Sequence, residues 1–248
     1  MARVIKDTSK WLGSRSRRAV NFTRYMPLGL VVFLILFEVL LLLNKSDWRI
    51  CLIIFGIFCT VVLIYIKIVV ELWDRKLRSF KVGDEGERRT LEELATKLTS
   101  DYLLMRDPMP SKHGNVDFAV VGPGGVFAIE AKNWNGRIEV RGDAVYQNGK
   151  LPKKGNPIKQ TNKEALTLNH ELKKCGNGYF VEPILVFCGS GGCKTTKVGR
   201  AVVLNLDKLV NYIRLRPQRF DLRTIERISD CIIAAGGERV PLAPNFLG

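Results

Sequence analysis

The sequence predicts a mixed α/β domain, a sheet with helices on its faces, preceded by two membrane-spanning helices. Three observations lead there. Residues 26–43 and 50–70 are apolar runs, each near the roughly 20 residues that cross a ~30 Å hydrocarbon core. Beyond residue 80, short apolar runs bounded by Gly, Pro, Asn and Asp alternate with stretches of helical periodicity. Their order is helix, several strands, helix, strand, strand, helices, which suits a mixed sheet. The 248 residues thus divide into a basic segment (1–25), a hairpin (26–70), a linker (71–80) and a domain (81–248) long enough for one core.

The hairpin reading rests on length and flanks. A signal peptide would have a shorter apolar core and then a small-residue cleavage site. Here NKSDWR follows the first run, and a second run follows that. Glu38 lies within the first run, where a tolerated protonated acid or a helix–helix contact is expected. Arg3, Lys6, Lys10, Arg15, Arg17, Arg18 and Arg24 precede the pair, and Arg75, Lys76, Arg78 and Lys81 follow it. The connecting loop has only Lys45 and Arg49. The positive-inside rule puts both termini in the cytoplasm, at a bacterial-type inner (plasma) membrane. The basic N-terminal segment is expected on anionic lipid, the alternative being contact with nucleic acid.

Charge and cysteine content set further bounds. Lys and Arg number 39 against 24 Asp and Glu, a formal charge of +15. Residues 1–78 hold 13 against 5 (+8), and residues 79–248 hold 26 against 19 (+7). With 46% apolar and 25% charged residues, general disorder is excluded. The first excess belongs to topology; the second suits a polyanionic partner. Six Cys are too few for a disulfide scaffold, and reduced thiols are the expectation in a cytoplasmic domain.

Within the domain, Asp84–Ser100 is predicted helical, with Leu91, Leu94 and Leu98 on one face and Glu87 on that same inward face. Tyr102–Arg106 is a short apolar strand. Asn115–Val121 and Val126–Trp134 follow, joined by Gly122-Pro123-Gly124-Gly125. Ile138–Val140 and Ala144–Gln147 are further strands, with turn signals at Gly142-Asp143 and Asn148-Gly149. Pro157–Lys174 is a second helix with Ile158, Thr161, Ala165, Leu168 and Leu172 aligned. Val181–Cys188 reads as a central strand, and Ala201–Leu206 as another. Helices near Asp207–Leu215 and Asp221–Ala235 end the pattern.

Four residues form a candidate chemical constellation: Glu87, Asp117, Glu130 and Lys132. Side chains alternate along a strand, so Glu130 and Lys132 share a face. Asp117 and Glu130 lie at similar distances from the turn that joins their strands, so they become neighbours. Two adjacent carboxylates raise each other's pKa unless a cation lies between them. A hard divalent ion such as Mg²⁺ resolves this with oxygen ligands and retained waters; the Ala131 carbonyl could add one ligand and Glu87 another. Lys132 beside such an ion can orient a water or neutralise charge on a phosphate. That is equipment for metal-assisted phosphodiester hydrolysis. The bland alternative is a strand ion pair of Glu130 with Lys132 or Lys112 on a solvated face.

These residues sit in a recognisable context. Gly83-Asp84-Glu85-Gly86-Glu87, then His113-Gly114-Asn115-Val116-Asp117-Phe118, then Gly125 to Gly136 (GVFAIEAKNWNG) resemble the nuclease-related domain, NERD, of the PD-(D/E)XK restriction-endonuclease-like superfamily. The resemblance is strong from Lys81 to Glu171 and fades beyond. It implies an αβββαβ core and cleavage of nucleic acid with Mg²⁺ (or Mn²⁺), DNA being favoured over RNA. By that likeness Asp117, Glu130 and Glu87 are metal ligands and Lys132 is the catalytic lysine. Asn156-Pro157-Ile158-Lys159-Gln160 resembles the family's Asn-Pro-x-x-Gln segment and implies Gln160 as an auxiliary site residue. A homodimer is implied where both strands are cut.

Lys112, His113, Arg137, Lys153, Lys154 and Lys159 flank the constellation and are the expected nucleic-acid contacts. Trp134 and Tyr146 are candidates for stacking on bases or for the core. Gly189-Ser190-Gly191-Gly192-Cys193-Lys194-Thr195 falls short of a phosphate loop, because Cys193 and Cys188 stand where glycines are required. Cys175, Cys188 and Cys193 lack the paired spacing of a zinc site. The alternative function is a membrane-tethered, non-catalytic nucleic-acid-binding or assembly module on the same fold.

Overall fold

The computed structural model describes residues 3–6 and 48–236, apart from 107, 109, 112, 113, 154 and 177. The first predicted span, 26–43, lies outside the described residues. Helix α1 runs over Trp48–Lys97. It is long and apolar enough, by length and composition, to cross a membrane, and it is the one such helix among the described residues. Leu52, Ile57, Leu63 and Ile64 of its apolar part are more than half exposed, a surface that no described residue covers.

The linker expected at 71–80 is helical instead. ELWDRKLRSF contains no proline and is rich in Glu, Leu, Arg and Lys, good helix formers whose summed preference keeps the helix running. Arg75 also pairs with Glu71 one turn earlier at 3.6 Å.

Residues 3–6 and 81–236 build a sheet between two helical layers. Strand β1 is Arg3–Lys6, β2 Leu103–Arg106, β3 Pro110–Ser111, β4 Gly114–Asn115, β5 Phe118–Gly122 and β6 Gly125–Lys132. The hairpin β7 (Ile138–Arg141) and β8 (Ala144–Gln147) follows, then helix α2 (Pro157–Lys174). Strands β9 (Val181–Phe187), β10 (Thr196–Val198) and β11 (Ala201–Asn205) lead to α3 (Leu206–Arg214) and α4 (Leu222–Gly236). The main sheet has the order β1-β2-β5-β6-β9-β11-β10. Strands β2, β5 and β6 are antiparallel neighbours, and β6, β9 and β11 run parallel. From the end of α1, the chain thus goes helix, three sheet strands, helix, strand.

Two apolar cores explain why β5 and β6 are almost wholly apolar. On one face Phe118, Val120, Phe127 and Ile129 meet Leu94 and Leu98 of α1 and Leu209 and Ile213 of α3. On the other, Ala119, Val121, Val126 and Ala128 meet Ala165, Leu168 and Leu172 of α2 and Ile225, Ile228 and Ile232 of α4. Alternation sends odd and even positions to different helices. A buried strand in such a sheet therefore has no polar face, except where a polar group is needed.

Three further expectations are corrected. Strand Asn115–Val121 is broken: Asp117 lies in a bend between β4 and β5, its side chain bonded to the backbone of the next strand. Arg3–Lys6, expected with a lipid-bound segment, pairs in parallel with β2 at the sheet edge. The thiols are not all reduced. Cys175, at the end of α2, is bonded to Cys231 of α4 across 56 positions of sequence, because α2 and α4 pack side by side over the same core. Closing so long a loop limits the unfolded chain most. Reduction, or Cys231→Ser, is expected to lower stability by about 2–4 kcal/mol, read as a fall in the thermal midpoint of the full chain in detergent with and without dithiothreitol.

Candidate metal and nucleic-acid site

The site forms where β5 begins and β6 ends. The paired ladder ends at Phe118 and Ile129; Asp117 and Glu130 are the next residues out, close enough for Glu130 to raise the Asp117 pKa. Glu130 projects to the face covered by α2, where Gln160 meets it. Asp117 Oδ2 accepts a hydrogen bond from the Ala131 N–H at 2.8 Å. The carboxylate thereby takes the place of a strand backbone partner, which is why the strand bends at this residue.

Glu130 is 2% exposed. Its Oε1 accepts from Lys132 Nζ and from Gln160 Nε2 at 2.8 Å. Its Oε2 is buried with no hydrogen-bond partner. Gln160 is held on three sides: Nε2 also donates to Glu164 Oε1 at 2.9 Å, and Oε1 accepts from Lys132 Nζ at 3.2 Å. The Asn-Pro-x-x-Gln segment now has a local cause. Asn156 is the N-cap of α2, its side chain accepting from the Ile158 N–H at 3.0 Å, and Pro157 takes the first helical position, where no donor is missed. Gln160 then lies in the first turn, facing β6.

On the opposite face, Arg106 ends β2 and is almost buried. Its Nη2 donates to Glu87 Oε2 at 3.1 Å and to Asp84 Oδ1 at 3.4 Å. Glu87 does reach this end of the sheet, but as Arg106's partner. Among the described residues no three His, Cys, Asp or Glu side chains come together as a metal-holding group.

Burial dominates the electrostatics. It pushes Glu130 up to about 8, against the pull of Lys132. It pushes Glu164 up to about 7, opposed by bonds to Glu130 and Gln160. Asp117 is raised well above the carboxylate range by burial, then by Glu130 and Glu87. Glu87 is raised by burial although Arg106 opposes this. For Lys132 burial favours the neutral amine, but Glu130 and Asp117 outweigh it, so its pKa rises.

Gly86 lets α1 approach this end of the sheet. A Cβ there would lie 2.6 Å from Asn133 Cβ and 3.0 Å from Cys188 Sγ. Asn133 Nδ2 in turn donates to the Val82 carbonyl at 2.7 Å. The glycine-rich loop after β9 packs against the exit from β6: a Cβ on Gly189 would strike the Trp134 carbonyl oxygen, and one on Gly191 that of Gly136. Asn135 Oδ1 accepts from the Ser190 N–H at 3.1 Å.

The flanking residues fare unevenly. Arg137 is exposed and pairs with Glu139 at 2.6 Å. Lys159 is exposed, 3.8 Å from Asp143, and Lys153 is exposed. Lys112, His113 and Lys154 lie outside the described residues. Trp134 packs on Phe187 with ring centroids 5.4 Å apart, a core role. Tyr146 lies under the Arg141 guanidinium at 5.0 Å. Two site residues escaped the sequence reading, Glu164 and Arg106. The signal for Glu164 was an acid four residues after Gln160, on a face otherwise apolar. Arg106 ends an apolar run and carried no signal.

The domain is thus a mixed α/β fold with Asp117, Glu130, Lys132 and Gln160 gathered at one end of its sheet. Residues 82–188 match the family model of NERD, the nuclease-related domain, and this part of the chain is a NERD domain. The match begins after the apolar part of α1 and ends at Cys188, just past β9. No curated protein and no solved structure matches the chain.

The raised carboxyl pKa values carry a sign for stability. A folded acid that holds its proton to about 8, where an unfolded one holds it to about 4.5, favours the native state below the unfolded value. That contribution is lost as pH rises through the folded one. The full chain, freed of metal with EDTA, is expected to melt at lower temperature at pH 8.5 than at pH 5. Glu130→Gln should flatten the difference; a melting point that climbs from pH 5 to 8.5 contradicts it.

Proposed function

We propose that this chain is a membrane-anchored, divalent-metal-dependent nuclease that hydrolyses phosphodiester bonds of nucleic acid, DNA favoured over RNA. One observation carries the reading. Asp117 and Glu130 lie close together at the end of a NERD domain's central strands, with Lys132 bonded to Glu130 and Glu130 Oε2 buried without a hydrogen-bond donor. An orphaned buried carboxylate oxygen is costly, and a cation relieves that cost.

The donors fit Mg²⁺ or Mn²⁺. Such ions take hard oxygens, keep several waters and need only one or two protein carboxylates together with substrate phosphate. A cage of three acids is therefore not required. Asp117 and Glu130 would hold the ion. Glu87, drawn to Arg106, would sit behind it and add negative charge. When bound, the ion supplies Lewis-acid activation of the phosphate and of a water. Lys132 has a raised pKa and so is protonated at neutral pH. A protonated amine cannot take a proton from water. It orients the water and offsets negative charge growing on the phosphoryl oxygens. Gln160 holds both Lys132 and Glu130 in place.

The rest of the chain supports the setting. The exposed apolar part of α1 suits lipid, and the basic residues on both sides of the hairpin favour cytoplasmic termini at an inner membrane. The +7 charge of residues 79–248 suits a polyanion. Arg137, Lys153 and Lys159 are exposed to meet phosphates, and a second copy would serve a cut in the other strand.

The test uses full chain in detergent with DNA and RNA substrates. Mg²⁺ or Mn²⁺ should support cleavage and EDTA should abolish it. Asp117→Asn, Glu130→Gln and Lys132→Ala should each lose about 10²–10³-fold. Equal cleavage by Lys132→Ala and wild type refutes the mechanism. Salt-dependent binding with no cleavage under any metal favours the non-catalytic module. A second expectation concerns pH. Protonated carboxyls are poor ligands, so Mn²⁺ affinity, followed by electron paramagnetic resonance, should rise from pH 6 to pH 8.5 as Glu130 loses its proton. Affinity that falls over this range refutes the assignment of the ligands.

A further inference from the structure

The inference rests on the nuclease reading above and concerns how its site is held. Glu130 offers two oxygens, and the structure treats them unequally. Oε1 accepts from both Lys132 and Gln160, while Oε2 is left buried and without a partner. Which oxygen is left open depends on which end of the Gln160 amide faces Glu130. Turned the other way, Gln160 would set its carbonyl oxygen against the carboxylate and its NH₂ against the Lys132 ammonium. Both contacts would be repulsive.

Glu164 decides that orientation. It lies one turn beyond Gln160 on α2, is 3% exposed, and accepts from Gln160 Nε2 at 2.9 Å. The Glu164 oxygen on that side accepts, so it draws the NH₂ end of the amide. The amide then has one proton for Glu164 and one for Glu130 Oε1, and its carbonyl is left for Lys132. We infer that Glu164 is a positioning residue of the proposed site: by fixing the Gln160 amide it pins Glu130 Oε1 and Lys132 Nζ, and so leaves Glu130 Oε2 as the oxygen presented to a metal ion. Besides its direct bond to Glu130, Glu164 acts through Gln160, as outer residues that orient ligands do.

The role needs reach and an acceptor, not charge, and two variants separate these. Glu164→Asp keeps the charge but withdraws the carboxylate by one methylene. Glu164→Gln loses the charge but keeps an acceptor at the same reach. The chain has three glutamines, Gln147, Gln160 and Gln218, so ¹⁵N-glutamine labelling of the full chain in detergent gives three side-chain amide pairs. Gln160→Leu identifies the relevant one by its loss.

In wild type the Gln160 amide protons should be slow to exchange. Glu164→Asp should move this pair toward free-amide shifts and fast exchange. It should also weaken Mn²⁺ affinity or cleavage by about 10–100-fold, in kcat with KM little changed. Glu164→Gln should keep the protected pair and stay within about threefold of wild type. The inference is overturned if Glu164→Asp leaves the Gln160 signals and Mn²⁺ affinity as in wild type, or if Glu164→Gln loses them as fully as Glu164→Asp. The amide signals and metal affinity do not depend on catalysis. A wild type that cleaves nothing, yet loses the protected pair in Glu164→Asp, sinks the nuclease reading and leaves the positioning role standing.

Discussion

Removing a carboxylate from water costs several kcal/mol unless its charge and its lone pairs are met within the protein. Glu130 is removed almost completely, on the central strand β6 with a layer of helices over each face of the sheet. Much of the domain can be understood as the means of tolerating it. Lys132, two residues on and on the same face, brings the countercharge. Gln160 brings a neutral donor from α2, and only because Asn156 and Pro157 start that helix where its first turn meets the end of β6. Asp117 brings a second acid from the neighbouring strand, itself raised by burial and then by Glu130, while Glu164 adds to the rise that burial causes at Glu130. A structure that served stability alone would have no use for that second acid.

The sheet end carries acids on both faces, and they are managed differently. On the α1 side, Asp84 and Glu87 are met by the Arg106 guanidinium, a fixed cation supplied by the chain itself. On the α2 side, two or three carboxyls share Lys132. Burial first, and the mutual repulsion of acids that share one lysine second, raise Glu130 to about 8 and Glu164 to about 7. The first grouping is closed. The second has only Lys132, and under the proposed function a divalent ion displacing protons would close it. Arg106 therefore matters to the site without touching it. By engaging Glu87 it reduces the negative charge that would otherwise add to the open side.

The fold was legible where burial imposes a period. The apolar runs of β6 and β9 and the aligned Ile158, Thr161, Ala165, Leu168 and Leu172 of α2 placed their elements to within a residue or two. The pairing of Asp117 with Glu130 followed from counting outward from the turn. Boundaries set by other forces were less legible. Residues 71–80 look like a linker because charge returns there, yet an uninterrupted helix needs only the absence of a breaker. The strand break at Asp117 depends on a side chain replacing a ladder partner, and the joining of Cys175 to Cys231 on two helices meeting in space; neither contact is local. Gln160 was carried by family likeness alone. Its cause, a cap and a proline fixing the first turn, became visible once the helix was placed against β6. Arg106 and Glu164 were not legible as site residues, since their partners lie on other elements or are reached through Gln160.

The glycine run after β9 shows the same dependence of meaning on partners. As a string, Gly189-Ser190-Gly191-Gly192 invites comparison with a phosphate cradle. In the structure, Gly189 and Gly191 are glycine because the carbonyls of Trp134 and Gly136 come too close to admit a Cβ. Those carbonyls belong to the segment that leaves β6 directly after Lys132. Asn135 fastens the same segment to Ser190, Asn133 fastens it to α1 at Val82, and Gly86 allows that approach. The C-terminal end of β6 is thus held from two sides by contacts with no room for adjustment. Lys132 lies at the point where a strand would otherwise fray. A flexible ammonium on a fraying strand would be a poor partner for a buried carboxylate. The glycines make it a fixed one, and so belong to the positioning of Lys132 and not to the binding of a nucleotide.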